Sequence, residues 1–197
     1  LCIDYFNDVN ALSILNIISL PIVLLLSTVA ANLSQKIGKR EFSMIGLISS
    51  GLIFLAVYFM KVDNAYTFIA MYALVTLGIS TFNILIWAFI TDIIDHSEIN
   101  TGERNDATVY GLVSFLRKLA QAVAGAVTGY ALTFIGYDSL ASVQVESVKE
   151  GIYTLSTLFP GICYIIAGLL LMFTYPLTKK VVQENVIKLR DLHQGKN

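Results

Sequence analysis

Two adjacent cations, Arg117 and Lys118, stand inside the apolar run from Val109 to Phe134. A charge near the middle of a membrane span costs about 2.5–3.5 kcal/mol on insertion scales, so such a side chain usually faces a cavity or a partner. The ammonium of Lys118 offers three hydrogen-bond donors and no acceptor, which suits hydroxyl groups or a nearby carboxylate. The pair therefore indicates a membrane protein that handles a polar ligand.

Lys118 belongs to a polar stripe on one face of a predicted helix. Tyr110, Ser114, Lys118 and Gln121 follow spacings of four, four and three, which place them on one side. Arg117 lies about 100° away, on the flank of the stripe. From a helix start near position 107, Lys118 lies ~16 Å inside the helix. We expect the stripe and Arg117 to line an aqueous cavity; the alternative is that both cations extend to the cytoplasmic interface.

The preceding apolar run also carries polar and aromatic side chains. Asn83 and Ser80 could face the same cavity, although a lone Asn often makes only an interhelical hydrogen bond. Trp87 lies nearer the cytoplasmic end of the run, where an interfacial anchor is the simpler interpretation. The alternative for Trp87 is stacking against a sugar ring.

A charge-rich link follows this run. Asp92, Asp95 and Glu98 repeat at three-residue spacing, so they stack on one side of a helix end. Negative charges at a helix C-terminus oppose its dipole, so we expect cations to hold them. The candidate cations are Arg104, Lys36, Lys39 and Arg40. Such pairs can close one side of a carrier and break when it opens; the alternative is a solvated loop.

The composition fixes the fold class. The chain has 197 residues, of which 56% are hydrophobic and 14% charged, and its mean hydropathy is +0.71. Soluble domains carry about 25% charged residues. Apolar runs of about 20 residues predict membrane spans, and five occur, near 11–33, 42–60, 66–90, 108–135 and 152–175. We therefore predict an all-α, multi-span transmembrane bundle over 1–178 and a tail over 179–197.

The composition also argues against several functions. A net charge of −1 gives no reason to expect nucleic acid as a partner. No paired catalytic carboxylates lie at membrane depth, so we expect no enzyme, and we expect no cofactor or bound metal. Cys2 and Cys163 are far apart and are interpreted as inert thiols.

The distribution of Lys and Arg predicts the orientation. Nine cations lie on one set of links and two, Lys61 and Lys149, on the other; the nine are Lys36, Lys39, Arg40, Arg104, Lys179, Lys180, Lys188, Arg190 and Lys196. We expect a cell-membrane protein whose C-terminus is cytoplasmic and whose first residue lies outside. Residues 1–6 are interpreted as the end of an interrupted helix, so a preceding segment is expected.

Small residues in the fourth apolar run indicate close helix packing. Gly125 and Gly129 are four apart, among several alanines. Such a spacing lets another helix approach closely. We therefore expect a helix against this face.

Three motifs carry a resemblance to a known family. Asp92-Ile93-Ile94-Asp95-His96-Ser97-Glu98, Thr101-Gly102-Glu103-Arg104 and Phe115-Leu116-Arg117-Lys118-Leu119-Ala120-Gln121 are similar to the glycoside–pentoside–hexuronide:cation symporters. These are the melibiose-carrier relatives within the major facilitator superfamily. The basic stretch Lys36-Ile37-Gly38-Lys39-Arg40 resembles the loop between their eighth and ninth helices. The resemblance covers essentially the whole chain.

The resemblance implies helices eight to twelve of a C-terminal half, preceded by the end of helix seven. It implies sugar or glycoside symport with Na⁺, Li⁺ or H⁺ by alternating access, with membrane lipid and a missing N-terminal six-helix half as partners. The coupling-cation site would lie mainly in that missing half. Lys118 matches the lysine of the sugar and cation cavity, and Ser114 matches a hydroxyl position of the same wall. Two alternatives stay open: the same fold with another cargo, such as a lysolipid or a sulfonated sugar, or a non-transporting fragment or membrane scaffold.

Overall fold

The computed structural model describes residues 1–141 and 143–194. Lys196, which contributes to the predicted orientation, lies outside the described residues, as does the end of the predicted tail. Over the described ranges the chain forms six helices and no strand; they are α1 (Val9–Ile37), α2 (Lys39–Met60), α3 (Ala65–Thr101), α4 (Asp106–Phe134), α5 (Glu146–Thr174) and α6 (Lys179–Gln194). The predicted all-α fold class is confirmed.

The first five helices coincide with the five predicted spans to within one residue at the C-terminal ends of α4 and α5, and they extend beyond several of the other predicted ends. Within the described chain, α1, α2, α3 and α5 are long and apolar enough to cross a membrane. Helix α4 has the length, 29 residues, but its two adjacent cations and Gln121 lower its hydropathy. The transmembrane position of α4 stays a prediction.

Local chemistry sets several helix ends. The Asp8 carboxylate accepts hydrogen bonds from the backbone N–H groups of the first turn of α1, and the Asn64 side chain does the same for α3. Side-chain acceptors at these positions satisfy N–H groups that have no partner within the helix. Helix α3 continues through 91–101 and ends at Gly102, whose φ of 76° favours glycine. The charge-rich link is therefore largely helical.

Helix α2 packs between α3 and α5 through glycines. A Cβ atom on Gly78 would collide with the Ser50 hydroxyl and with the carbonyl oxygen of Gly46, and one on Gly51 would lie 2.7 Å from the carbonyl oxygen of Gly161. Backbones thus meet directly at both crossings. The sequence analysis expected close packing at Gly125 and Gly129 instead, yet outside the local backbone of α4 no described atom lies within 4 Å of a Cβ built on either glycine.

Helix α4 is the least covered element. None of its residues is buried by the described part of the chain. Its first half contacts α3, and Ile135, just after its end, packs against Gly151 of α5. The face that carries the polar stripe is therefore open.

The tail forms a helix that the apolar-run analysis did not predict. Leu189 and Asn185 of α6 are buried, and the Asn185 amide nitrogen lies 3.1 Å from Nδ1 of His96 on α3. The Lys179 ammonium donates to the carbonyl oxygen of Lys36 at the end of α1, over 2.9 Å. Helix α6 therefore joins the ends of α1 and α3.

Candidate functional site

The polar stripe of α4 is accessible. Ser114, Lys118 and Gln121 are exposed, and no apolar side chain of the described residues seals them. The opposite side is equally uncovered, since Leu112 and Phe115 are 57% and 62% exposed. The two sides of α4 therefore differ in chemistry and not in exposure: one offers hydroxyl, ammonium and amide groups, and the other is apolar.

Arg117, Trp87 and Tyr110 form an aromatic–cation cluster that joins α3 to α4. The Arg117 Cζ atom lies over the Trp87 ring, 5.7 Å from its centroid. The Tyr110 ring stacks on the same indole, with centroids 6.1 Å apart and planes at 28°. Tyr110 and Arg117 are two helical turns apart, so the indole fits between them. A cation over an indole contributes about 0.5–1 kcal/mol at exposed sites.

A second contact supports this cluster. The Tyr110 hydroxyl lies 3.3 Å from the Thr91 hydroxyl, one turn beyond Trp87 on α3. Trp87 therefore contacts both a cation and an aromatic ring of the facing helix, and its role as an interfacial anchor stays a prediction. Sequence reasoning did not single out Thr91; its four-residue spacing from Trp87 was the available signal.

The two polar residues of the third span have different environments. Asn83 is exposed and lies one turn before Trp87 on α3, so it shares the side of the helix that meets α4. Ser80 is buried, with 6% of its surface exposed. Asn83 is thus placed to line the same space as the α4 stripe, and Ser80 is not.

The charged residues form two separate groups at the far ends of the helices. The Lys39 ammonium lies 2.7 and 2.8 Å from the two Asp92 carboxylate oxygens, and only 8% of the Asp92 side chain is exposed. Because Lys39 is the first residue of α2, this ion pair joins α2 to α3. Burial raises the pKa of the Asp92 carboxyl, and the hydrogen bonds and charge of Lys39 oppose that rise.

Arg104 is the centre of the second group. Its guanidinium lies 2.9 Å from both Asp95 and Glu98 and 3.0 Å from Asp106 at the start of α4. The hydrogen bonds to Glu98, Asp106 and Asp95 raise the pKa of Arg104 above its ordinary value. The guanidinium therefore holds the turn between α3 and α4 in place.

The other two candidate cations, Arg40 and Lys36, form no ion pair with Asp92 or Asp95 among the described residues. The Arg40 guanidinium donates to the carbonyl oxygen of Met172 near the end of α5. Lys36 is exposed, and its ammonium has no ion pair among the residues that the structure describes. Among the described residues, Lys39 therefore pairs with Asp92, and Arg104 pairs with Asp95 and Glu98.

Comparisons with known proteins place the chain among transporters. Residues 1–179 match the family described as MFS/sugar transport protein. The chain is 38% identical over 165 residues to the uncharacterized symporter YjmB of Bacillus subtilis, covering 82% of this chain and 34% of the relative. It is 29% identical over 191 residues to the putative sulfoquinovose importer of Escherichia coli, covering 97% and 40%. It is 28% identical over 138 residues to the putative glycoside/cation symporter YagG of Escherichia coli, covering 70% and 30%. The chain therefore spans 30–40% of the length of these relatives.

Proposed function

This chain belongs to the MFS/sugar transport protein family, a family of multi-pass membrane transporters, and on that premise we propose that it forms the C-terminal half of a sugar or glycoside:cation symporter. The complete carrier moves its cargo by alternating access. An N-terminal six-helix half is the partner, and it supplies most of the site for Na⁺, Li⁺ or H⁺. Two relatives described as symporters, one of them as a putative glycoside/cation symporter, support the coupling to a cation.

The observation that carries this proposal is the uncovered polar face of α4. In major facilitator transporters, cargo binds near the middle of the membrane at the interface between the two halves. A helix with an open stripe of hydroxyl, ammonium and amide groups suits that interface. A purely structural membrane helix would gain nothing from two cations in an apolar run, because each costs about 2.5–3.5 kcal/mol at mid-depth.

The roles of the stripe residues follow from their chemistry. The Lys118 ammonium donates to cargo hydroxyls, and Ser114 and Gln121 extend the polar wall by one turn in each direction. Asn83 contributes an amide from the facing helix α3. Arg117 and Tyr110, joined through Trp87, form the flank of the site.

The charged groups suit a cytoplasmic gate. The Lys39–Asp92 pair and the Arg104 cluster lie on links that the excess of Lys and Arg assigns to the cytoplasm, as it does the C-terminus. Ion pairs between helix ends can break and re-form as the ends separate and meet. We propose that these pairs hold the cytoplasmic side closed during the outward-facing state.

Uptake by a full-length carrier with this chain as its C-terminal half tests the proposal. Cells without a carrier of their own are given labelled sugars and glycosides, with and without a Na⁺, Li⁺ or proton gradient. Lys118→Ala should lower uptake by about 10- to 100-fold, because a hydrogen bond to a charged group contributes about 1.5–3 kcal/mol. Membrane abundance should stay normal.

Lys188→Ala is the matched control, since Lys188 is an exposed lysine of α6 far from the stripe. It should leave uptake unchanged. Uptake by Lys118→Ala at the wild-type rate would remove Lys118 from the mechanism. A correctly inserted wild-type carrier that moves no sugar would favour the membrane scaffold.

A further inference from the structure

Helix α6 begins close to the point where a membrane-spanning helix ends. Only residues 175–178 separate the end of α5 at Thr174 from the start of α6 at Lys179, and Leu177 among them is buried. Because α5 is long and apolar enough to cross a membrane, this short connection keeps the start of α6 at the membrane surface. Helix α6 has 16 residues and four cations, which is too short and too charged for a further span.

One side of α6 is held by the helix bundle. Asn185 and Leu189 are buried, and the Asn185 amide nitrogen lies 3.1 Å from Nδ1 of His96. The Lys179 ammonium donates one hydrogen bond to the carbonyl oxygen of Lys36 at the end of α1. These contacts set the rotation of α6 about its own axis, and they therefore decide which side chains face away from the bundle.

The exposed side of α6 combines cations with apolar side chains. Val186 and Ile187 are 49% and 62% exposed. Positions 179, 186 and 190 lie on one row of the helix surface, and positions 180 and 187 lie on the adjoining row. We call these five exposed residues the basic–apolar face; they are Lys179, Lys180, Val186, Ile187 and Arg190.

The acidic residues of α6 occupy a different row. Glu184 and Asp191 lie there together with Lys188, which is one turn away from each of them. Among the described residues, no ion pair joins Lys180 or Arg190 to a carboxylate. The basic–apolar face therefore carries an excess of positive charge next to exposed apolar surface.

We propose that the basic–apolar face binds the anionic phosphate groups of membrane lipids at the surface where α5 ends. Val186 and Ile187 enter the boundary between headgroups and acyl chains, and Lys180 and Arg190 lie at the level of the phosphates. A helix of this kind binds a membrane surface through buried apolar area and through attraction to anionic lipid together. A soluble phosphate ion would meet the cations and leave both apolar side chains in water, so the lipid is the better occupant. The inference does not depend on the cargo of the carrier.

This contact would tie the ends of two other helices to the membrane surface. Helix α6 touches α3 through Asn185 and α1 through Lys179. A lipid bound to the basic–apolar face therefore holds α6 from the side that the bundle leaves open.

Amide hydrogen exchange of the full chain in lipid nanodiscs tests the proposal. One preparation contains phosphatidylcholine alone, and the other also contains phosphatidylglycerol, which is anionic. Each basic residue near an anionic surface strengthens the attraction by about fivefold, so residues 180–192 should exchange about fivefold or more slowly in the anionic nanodiscs. Exchange in α2, which serves as the internal reference, should not differ between the two lipids. Salt at 1 M, which shortens electrostatic range to about 3 Å, should remove the difference in α6.

Variants assign the binding to the basic–apolar face. The double variant Lys180→Gln with Arg190→Gln should lose most of the dependence on anionic lipid. Ile187→Ser keeps every charge and loses apolar contact, so α6 should exchange faster in both lipids. Lys188→Gln is the matched control, since it removes one positive charge from the acidic row, and it should keep the lipid dependence. Unchanged exchange in α2 shows that each variant keeps the fold.

Three outcomes would overturn the proposal. The first is equal exchange of α6 in neutral and anionic nanodiscs. The second is protection by inorganic phosphate in neutral nanodiscs as large as that by phosphatidylglycerol, which would make α6 a site for a soluble anion. The third is a loss of lipid dependence in Lys188→Gln as large as in the double variant, which would show that net charge acts without a defined face.

Discussion

Lys39 and Asp92 form a two-oxygen ion pair that fastens the first residue of α2 to α3. The ammonium lies 2.7 and 2.8 Å from the carboxylate oxygens, and the side chains are 30% and 8% exposed, respectively. The two residues are 53 positions apart in the sequence. The basic loop between α1 and α2 and the acidic link after the third span are therefore parts of one structural connection.

Removing one partner of this ion pair should lower the stability of the fold more than removing both partners does. Lys39→Met leaves the buried Asp92 carboxylate without its cation, and breaking a buried pair from one side costs about 3–5 kcal/mol. The partial exposure of Lys39 places the expected loss at the lower end. The double variant Lys39→Met with Asp92→Asn removes the uncompensated charge, so it should recover part of the loss. Thermal unfolding in detergent measures both, and a double variant as unstable as the single one would contradict the prediction.

The Tyr153 hydroxyl should stabilise the turn between α2 and α3. It donates to the carbonyl oxygen of Val57 over 2.7 Å and accepts from the backbone N–H of Val62 over 3.0 Å, and all of these groups are buried. Tyr153→Phe keeps the ring but leaves both buried backbone groups without their hydrogen-bond partner. We therefore expect a loss of about 1–3 kcal/mol in the free energy of unfolding. Tyr130→Phe is the control, since Tyr130 is 79% exposed. Equal melting temperatures for the two variants would rule out the bridging role.

Gly78 should tolerate no side chain. An added methyl group would meet the Ser50 hydroxyl and the backbone carbonyl oxygen of Gly46, so α2 and α3 would have to move apart. Overpacking of this kind costs about 1–3 kcal/mol. We expect Gly78→Ala to lower the midpoint of thermal unfolding and the amount of protein in the membrane.

Gly125→Ala is the matched substitution on α4. Outside the local backbone of α4, no described atom lies within 4 Å of the added Cβ, and alanine favours a helix over glycine by about 1 kcal/mol. This chain should therefore keep or gain stability. If a second half covers this face, as the proposed function requires, Gly125→Ala should weaken only the full-length carrier. A chain destabilised as much as by Gly78→Ala would contradict the open face.

The sequence predicted the long helices because the length of an apolar run is a local property. The sequence could not show which of the four candidate cations pairs with which of the three carboxylates. Lys39 and Asp92, for example, meet only through the packing of α2 on α3. The glycine spacings show the same limit: Gly125 carries the expected motif, and Gly78 makes the close contact. Helix α6 was missed because its apolar residues occupy one stripe and form no run. The contact of Trp87 with Arg117 was missed because the two residues lie on different helices.

Arg104 should hold the turn that leads into α4. Its guanidinium contacts Asp95 and Glu98 near the end of α3 and Asp106 at the start of α4. Because Arg104 is 40% exposed, each contact contributes about 1 kcal/mol or less. The loss of all three should therefore loosen the turn locally without unfolding the bundle.

Cleavage after Glu103 by a glutamate-specific protease measures this loosening, since Glu103 is an exposed residue of the turn. Arg104→Gln should be cut several-fold faster than wild type, and Arg104→Lys should be intermediate because it keeps the charge and loses the fork. Salt at 1 M, which shortens electrostatic range to about 3 Å, should speed cleavage of the wild type and leave Arg104→Gln nearly unchanged. Lys149→Gln, which breaks a pair with Glu146 at the start of α5, is the control and should not alter the rate. If Arg104→Gln were cleaved at the same rate as the wild type, the backbone alone would hold the turn in place.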